Sequence, residues 1–256
     1  MPEWCDGTIS SGLDGREWPY RVLLPIEYGR TGKRFHTLYL LHGLFGSFEN
    51  WTELGGLGPI DDLVIVMPEG RDGWYCDGEN PADRHESRIV NELLPEIDQK
   101  FLTVSSRAGR GIAGNSMGGY GAIKIALKYG DLFSFAGSFS GAFEAPSWSD
   151  QFPPANWEEY RPSISRVFGD EGSTTRIEND LYKIVAESDT DDLPEIYFDC
   201  GLNDGFLAAN RELSRLMMER DMPHRFEVLP GGHDWDYWTG RIEKLTRSKD
   251  WRLEKD

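Results

Sequence analysis

From about residue 60 onward, short β-rich apolar runs alternate with segments of helical period, and this alternation restricts the chain more than any other feature. It is the pattern of a mostly parallel sheet with helices on both faces. The runs fall at 63–67, 110–113, 135–140, 196–200 and 225–229. Between them, Ile89, Leu93 and Ile97 recur every four residues, which predicts a helix over about 84–101 with a kink at Pro95. Further helices are expected at 117–129, whose start is rich in Gly and Ala, and at 210–220, with Leu213, Leu216 and Met217 as its apolar stripe.

The first part of the chain reads differently. Runs at 18–24 and 35–41 follow a short candidate strand at 8–10, with turn-like links too short for a helix, so these three strands are expected to form an antiparallel edge. The total is about eight strands. The stretch at about 144–175, after the sixth strand, is rich in Pro and Trp and reads as an irregular insertion over one end of the sheet. No linker or internal repeat is visible, so one α/β domain over residues 1–256 is expected.

Charge narrows the function classes. The formal net charge of -17 repels polyanions, and no basic patch is visible to bind nucleic acid or an anionic membrane. The acidic run 187–195 lacks the ligand spacing and central Gly of a calcium loop and reads as a solvated loop. The start, MPEWCDGTIS, has neither the basic residues nor the apolar core of a signal peptide, so a cytoplasmic location is expected. Cys5, Cys76 and Cys200 are odd in number and far apart, which suits reduced thiols. No Cys/His spacing resembles a zinc site, and neither a metal nor a cofactor is expected. The sequence leaves room for a homo-oligomer.

Gly114-Asn115-Ser116-Met117-Gly118 matches G-x-S-x-G between an expected strand and an expected helix. A serine hydroxyl is a weak nucleophile. A strand-to-helix elbow lifts its oxygen clear of the sheet and aims the next N–H, here that of Met117, at the reacting carbonyl. A second oxyanion donor is expected from the loop after the strand ending Leu40-Leu41, with the N–H of Leu44 as the candidate. His42, between that strand and Gly43, reads as a residue that shapes the loop.

In the chain order Ser, acid, His, the base follows the last strand, where His233 lies in the turn Pro230-Gly231-Gly232-His233. The acid is expected after the strand before it. Asp204 fits, with Asp199 the weaker alternative because it lies within the strand. His36, His85 and His224 lack such a context. Trp51, Trp74, Tyr75, Trp148 and Trp235 fall on loops that converge at the strand ends and are candidate walls for a substrate. Cys76 lies in the same region without a matched base and reads as a bystander.

Together LLHGLFGSFENW (40–51), IVNELLPEID (89–98), GIAGNSMGGYGA (111–122), FDCGLNDGF (198–206) and PGGHDWDYW (230–238) resemble the esterase D-like branch of the α/β hydrolases. That branch includes tributyrin esterases, feruloyl esterases, S-formylglutathione hydrolases and mycolyltransferases. The resemblance implies an α/β-hydrolase fold, a Ser116, Asp204, His233 triad and an oxyanion hole from Leu44 and Met117. It also implies a small-molecule ester as substrate, cleaved as a short-acyl carboxylester. Feruloyl or acetyl-sugar esters, acyl transfer, and a non-catalytic binding role are the alternatives. Two departures narrow it: Leu44-Phe45-Gly46 lacks the Cys of formylglutathione hydrolase oxyanion loops, and the export signal usual in mycolyltransferases is not seen.

Overall fold

The computed structural model describes residues 3–30 and 32–247. Its strands are β1 (Glu3–Ser10), β2 (Glu17–Leu24), β3 (His36–Leu41), β4 (Leu63–Pro68), β5 (Arg110–Asn115), β6 (Phe135–Phe139), β7 (Glu195–Gly201) and β8 (Arg225–Leu229). They form one sheet in the order β1-β2-β4-β3-β5-β6-β7-β8. Neighbours from β4 through β8 pair in parallel, while β2 runs antiparallel to both β1 and β4. The sheet is therefore mixed.

One expectation about the edge is corrected. β1 and β2 form an antiparallel edge, but β3 does not join it, because β4 lies between β2 and β3. The composition of β3 explains its place. Thr37, Leu38, Tyr39, Leu40 and Leu41 are all buried, and a strand that is apolar on both faces needs neighbours and cover on both sides.

Alternation along the strands divides the core into two layers. Tyr39, Leu41, Val64, Val66 and Ile112 point to one face. Leu38, Leu40, Ile65, Met67 and Ala113 point to the other. The first face is covered by helices α1 (Met117–Lys128), α2 (Trp157–Phe168) and α3 (Leu207–Glu219), with the helical segment from His85 to Lys100. The second is covered by α4 (Trp235–Arg247) through Tyr237, Trp238 and Ile242, and by Trp51. Each large apolar side chain so buried contributes roughly 1.5–3 kcal/mol. No described helix is long and apolar enough to cross a membrane.

The expected irregularity near Pro95 is a π-helical turn, Ile89–Leu93, between α-helical His85–Arg88 and Leu94–Lys100. Proline offers no N–H to the preceding turn, and the widened turn sits directly before it. The stretch 144–175 is not irregular as expected. It contains the twelve-residue helix α2, whose apolar residues Tyr160, Ile164, Val167 and Phe168 recur at helical spacing despite Pro162 inside it. Arg166 of α2 ties it to the rest of the chain through Asp72 (2.7 Å) and through Asp83.

Beneath α1, Lys124 is fully buried and donates to Glu86 Oε2 (2.6 Å) and Asn179 Oδ1 (2.8 Å), while Lys128 pairs with the other Glu86 oxygen. Burial pushes the Glu86 carboxyl up, but the two ammonium groups outweigh it and bring it from 4.5 down to about 2. This cluster fastens the helix that follows Ser116 to the segment before Pro95.

Candidate active site

Ser116 stands between β5 and α1 with φ 53° and ψ −117°, a left-handed conformation that costs a non-glycine residue roughly 1–3 kcal/mol. The surroundings hold it there. Its N–H donates to Phe139 O at 2.9 Å, and its own carbonyl accepts from Tyr120 N at 3.0 Å. The elbow also depends on close backbone contact. A Cβ on Gly118 would lie 2.5 Å from Leu41 O and 2.7 Å from His42 O, so only glycine lets α1 start this close to the end of β3.

Asp204 and His233 come from the loops after β7 and β8, and these loops are stitched together. Leu202 N donates to Leu229 O at 2.7 Å, and Asn203 N donates to Gly231 O at 2.9 Å. His233 Nδ1 lies 3.0 Å from Asp204 Oδ2, and His233 Nε2 lies 3.0 Å from Ser116 Oγ. Burial pushes the Asp204 carboxyl up. The His233 ring, the Phe206 N–H and the Ser140 hydroxyl outweigh it, so the group lies below its ordinary value and is a carboxylate. A carboxylate can only accept, so Nδ1 carries the proton and Nε2 is left to accept from the serine hydroxyl.

The structure thus brings these three side chains together. Asp199 is elsewhere: buried, it accepts from Arg241 Nε (2.6 Å), Tyr237 OH (2.8 Å) and Tyr197 OH (2.6 Å), tying α4 to β7. His85 packs edge-on against Trp18, and His224 pairs with Ser214 Oγ at 2.8 Å.

Leu44 follows β3 at the mouth of the same cleft, and Met117 opens α1, where the first N–H groups of a helix have no partner within it. Neither amide makes a hydrogen bond among the described residues. His42 shapes this loop: its Nε2 accepts from Gly70 N at 2.8 Å, and its Nδ1 donates to Gly43 O at 2.7 Å.

The cleft beside Ser116 measures about 300 Å³. Of the five aromatic residues expected to line it, Trp74, Trp148 and Trp235 do. Trp51 and Tyr75 do not; they are buried behind it and anchor the end of β3 and the start of the loop after it. Trp51 Nε1 donates to Leu41 O at 3.1 Å, while the Tyr75 hydroxyl accepts from His42 N at 3.0 Å and donates to His42 O at 3.1 Å. A sequence locates the loop but not the side to which its ring turns. Four lining rings escaped the sequence reading: Phe45, Tyr160, Phe206 and Trp238. Three of them lie inside motifs already singled out, and Tyr160 lies on the stripe of α2. Cys76, behind Trp74, is buried with its thiol pushed up, which suits a bystander. Among the described residues no group of His, Cys, Asp and Glu is placed to hold a metal ion.

Comparison with known proteins fits this geometry. The family model described as "Putative esterase" matches residues 10–247. An acetyl esterase of Caldicellulosiruptor saccharolyticus is 29% identical over 240 residues, spanning 86% of this chain and 88% of its own. A solved ferulic acid esterase is 27% identical with a TM-score of 0.81, covering 96% of this chain and 97% of that one. A solved S-formylglutathione hydrolase from Staphylococcus aureus is 25% identical with a TM-score of 0.75, covering 96% and 98%. A family match over residues 10–247, with a solved neighbour aligned over 96% of the chain, makes this chain a member of that esterase family: a carboxylester hydrolase of the α/β-hydrolase fold.

Proposed function

We propose that the chain hydrolyses small or short-acyl carboxylic esters through a triad of Ser116, His233 and Asp204 and an acyl-enzyme intermediate. The observation that carries this reading is the unbroken line of two 3.0 Å contacts from Ser116 Oγ through the imidazole to a buried carboxylate. Ser116 Oγ attacks the ester carbonyl as His233 Nε2 takes its proton, and the resulting oxyanion is held by the N–H groups of Leu44 and Met117. The tetrahedral adduct collapses and the C–O bond to the alcohol breaks. The alcohol leaves with the proton from His233. Water then gives a proton to the same nitrogen and attacks the acyl-serine; as this second adduct collapses, the bond from the acyl carbon to Ser116 Oγ breaks, Oγ takes the proton back from His233 Nε2, and the acid leaves. Asp204 stays ionised throughout and stabilises the imidazolium. No step calls for a metal or cofactor.

A second reading, a feruloyl or acetyl-sugar esterase, is favoured by the aromatic walls, since flat rings suit planar or sugar faces. An ester panel spanning acyl length, feruloyl esters and acetylated sugars, run beside Ser116→Ala, tests both. Hydrolysis that survives Ser116→Ala would falsify the triad. Products enriched in transferred acyl groups when alcohols or sugars are added would favour the transferase alternative.

A further inference from the structure

Phe45 carries two costs at once. Its φ is 64°, unfavourable for a bulky side chain, and the residue is 68% exposed. Neither serves the core, and the residue sits beside Leu44 on the rim of the cleft. Strain and exposed apolar area retained at the same position of a cleft point to a role in binding.

The geometry indicates what that role is. Across the cleft the Phe45 ring stacks on Tyr160 of α2, with centroids 6.4 Å and planes 21° apart. Tyr160 stacks on Trp148 (5.3 Å, 22°), and Trp148 on Phe206 (5.7 Å, 24°). Phe206 then meets the His233 imidazole edge-on at 4.8 Å. Four rings with successive planes near-parallel thus run from the oxyanion loop to the imidazole, and Phe45 is their outer end. An acetyl group fills little of a cleft of about 300 Å³, whereas a planar ring has a row of aromatic side chains to pack against.

Resting on the Ser116 reading above, we propose that Phe45, clasped on Tyr160, is a specificity-determining residue that favours esters carrying an aromatic group over esters without one. The clasp joins the loop after β3 to the insertion helix and extends the row of aromatic rings along the cleft.

The test compares ethyl acetate, ethyl cinnamate and benzyl acetate, which place no ring, a ring on the acyl side and a ring on the alcohol side. Two variants are used, Phe45→Gly and Tyr160→Leu. Glycine accepts a φ of 64° without strain, so the melting temperature of Phe45→Gly should not fall. In both variants kcat/KM for a ring-bearing ester, relative to ethyl acetate, should drop about fivefold or more, chiefly through KM. A fall for either ring-bearing ester supports the proposal and identifies the side that binds the ring. A ratio within twofold of wild type in both variants overturns it, as does an equal fall for all three esters, which would mean that Phe45 acts through Leu44. A wild-type protein that hydrolyses none of the three would overturn the proposed function itself, a result separate from an unchanged ratio.

Discussion

Trp238 meets the imidazole of His233 edge-on, with centroids 4.9 Å and planes 89° apart. Phe206 does the same at 4.8 Å, so two rings hold the imidazole in the plane that reaches both Ser116 and Asp204. Trp238 is itself fixed by its indole N–H, which donates to Ser140 Oγ at 3.2 Å. Replacing Trp238 with Leu should lower kcat about tenfold with a smaller change in KM, because positioning of the base is lost while the substrate walls formed by Trp148 and Tyr160 remain. Steady-state kinetics on a short aryl ester checks this. A variant with wild-type kcat would show that the loop alone orients the imidazole.

The two aspartates near the end of β7 should separate catalysis from stability. Asp204→Asn keeps a similar shape but can no longer hold the imidazole tautomer, and a loss of about 10⁴ in kcat is expected with little change in melting temperature. Asp199→Asn leaves Arg241 partly unpaired in a buried network, and about 3–5 kcal/mol of stability should be lost. The fraction of Asp199→Asn that stays folded should still turn over ester. Urea titrations and active-site titration of both variants decide it; the opposite pattern would reverse the two roles.

Glycine substitutions should diverge according to what a Cβ would meet. Gly118→Ala forces a methyl against Leu41 O and His42 O and should cost roughly 1–3 kcal/mol or more, with activity falling as the elbow shifts. Gly240 lies within α4 with open space around its Cβ position, so Gly240→Ala should raise stability by about 0.5–1 kcal/mol. Thermal melts of the two proteins give the signs directly.

Acid should unfold the protein partly through Glu86. Its value in the folded chain, about 2, is below its ordinary 4.5, so its stabilisation is present above 4.5 and disappears as the pH falls toward 2. The unfolding free energy should therefore decline across that window, and Glu86→Gln should be less stable at neutral pH with a flatter decline. An equal slope in the two proteins would assign the acid sensitivity to other carboxyl groups.

The meeting of Ser116, Asp204 and His233 at one end of the sheet was legible in sequence because each follows a strand by a few residues. The place of β3 was not legible as a neighbour relation, since pairing with β4 is set by a crossover and not by chain proximity. Helix α2 was hidden by Pro162 and by the density of aromatic residues, although Tyr160, Ile164 and Val167 carry its period. Trp51 and Tyr75 show the remaining gap. Their loops were placed at the strand ends, but whether a ring enters the cleft or backs it depends on partners, here Leu41 O and the His42 backbone, that no local pattern reveals.

The contact between Gly118 and the end of β3 also bears on how such an enzyme can diversify. Because α1 and the end of β3 abut with no room for one carbon atom, the elbow at Ser116 and the loop after β3 form a block that tolerates little sequence drift. The insertion meets that block at its rim, through side chains on α2 and the rings before it. Substitutions there can retune which molecules enter while the chemistry is inherited unchanged, so libraries built for new substrates should randomise the insertion and leave the elbow alone.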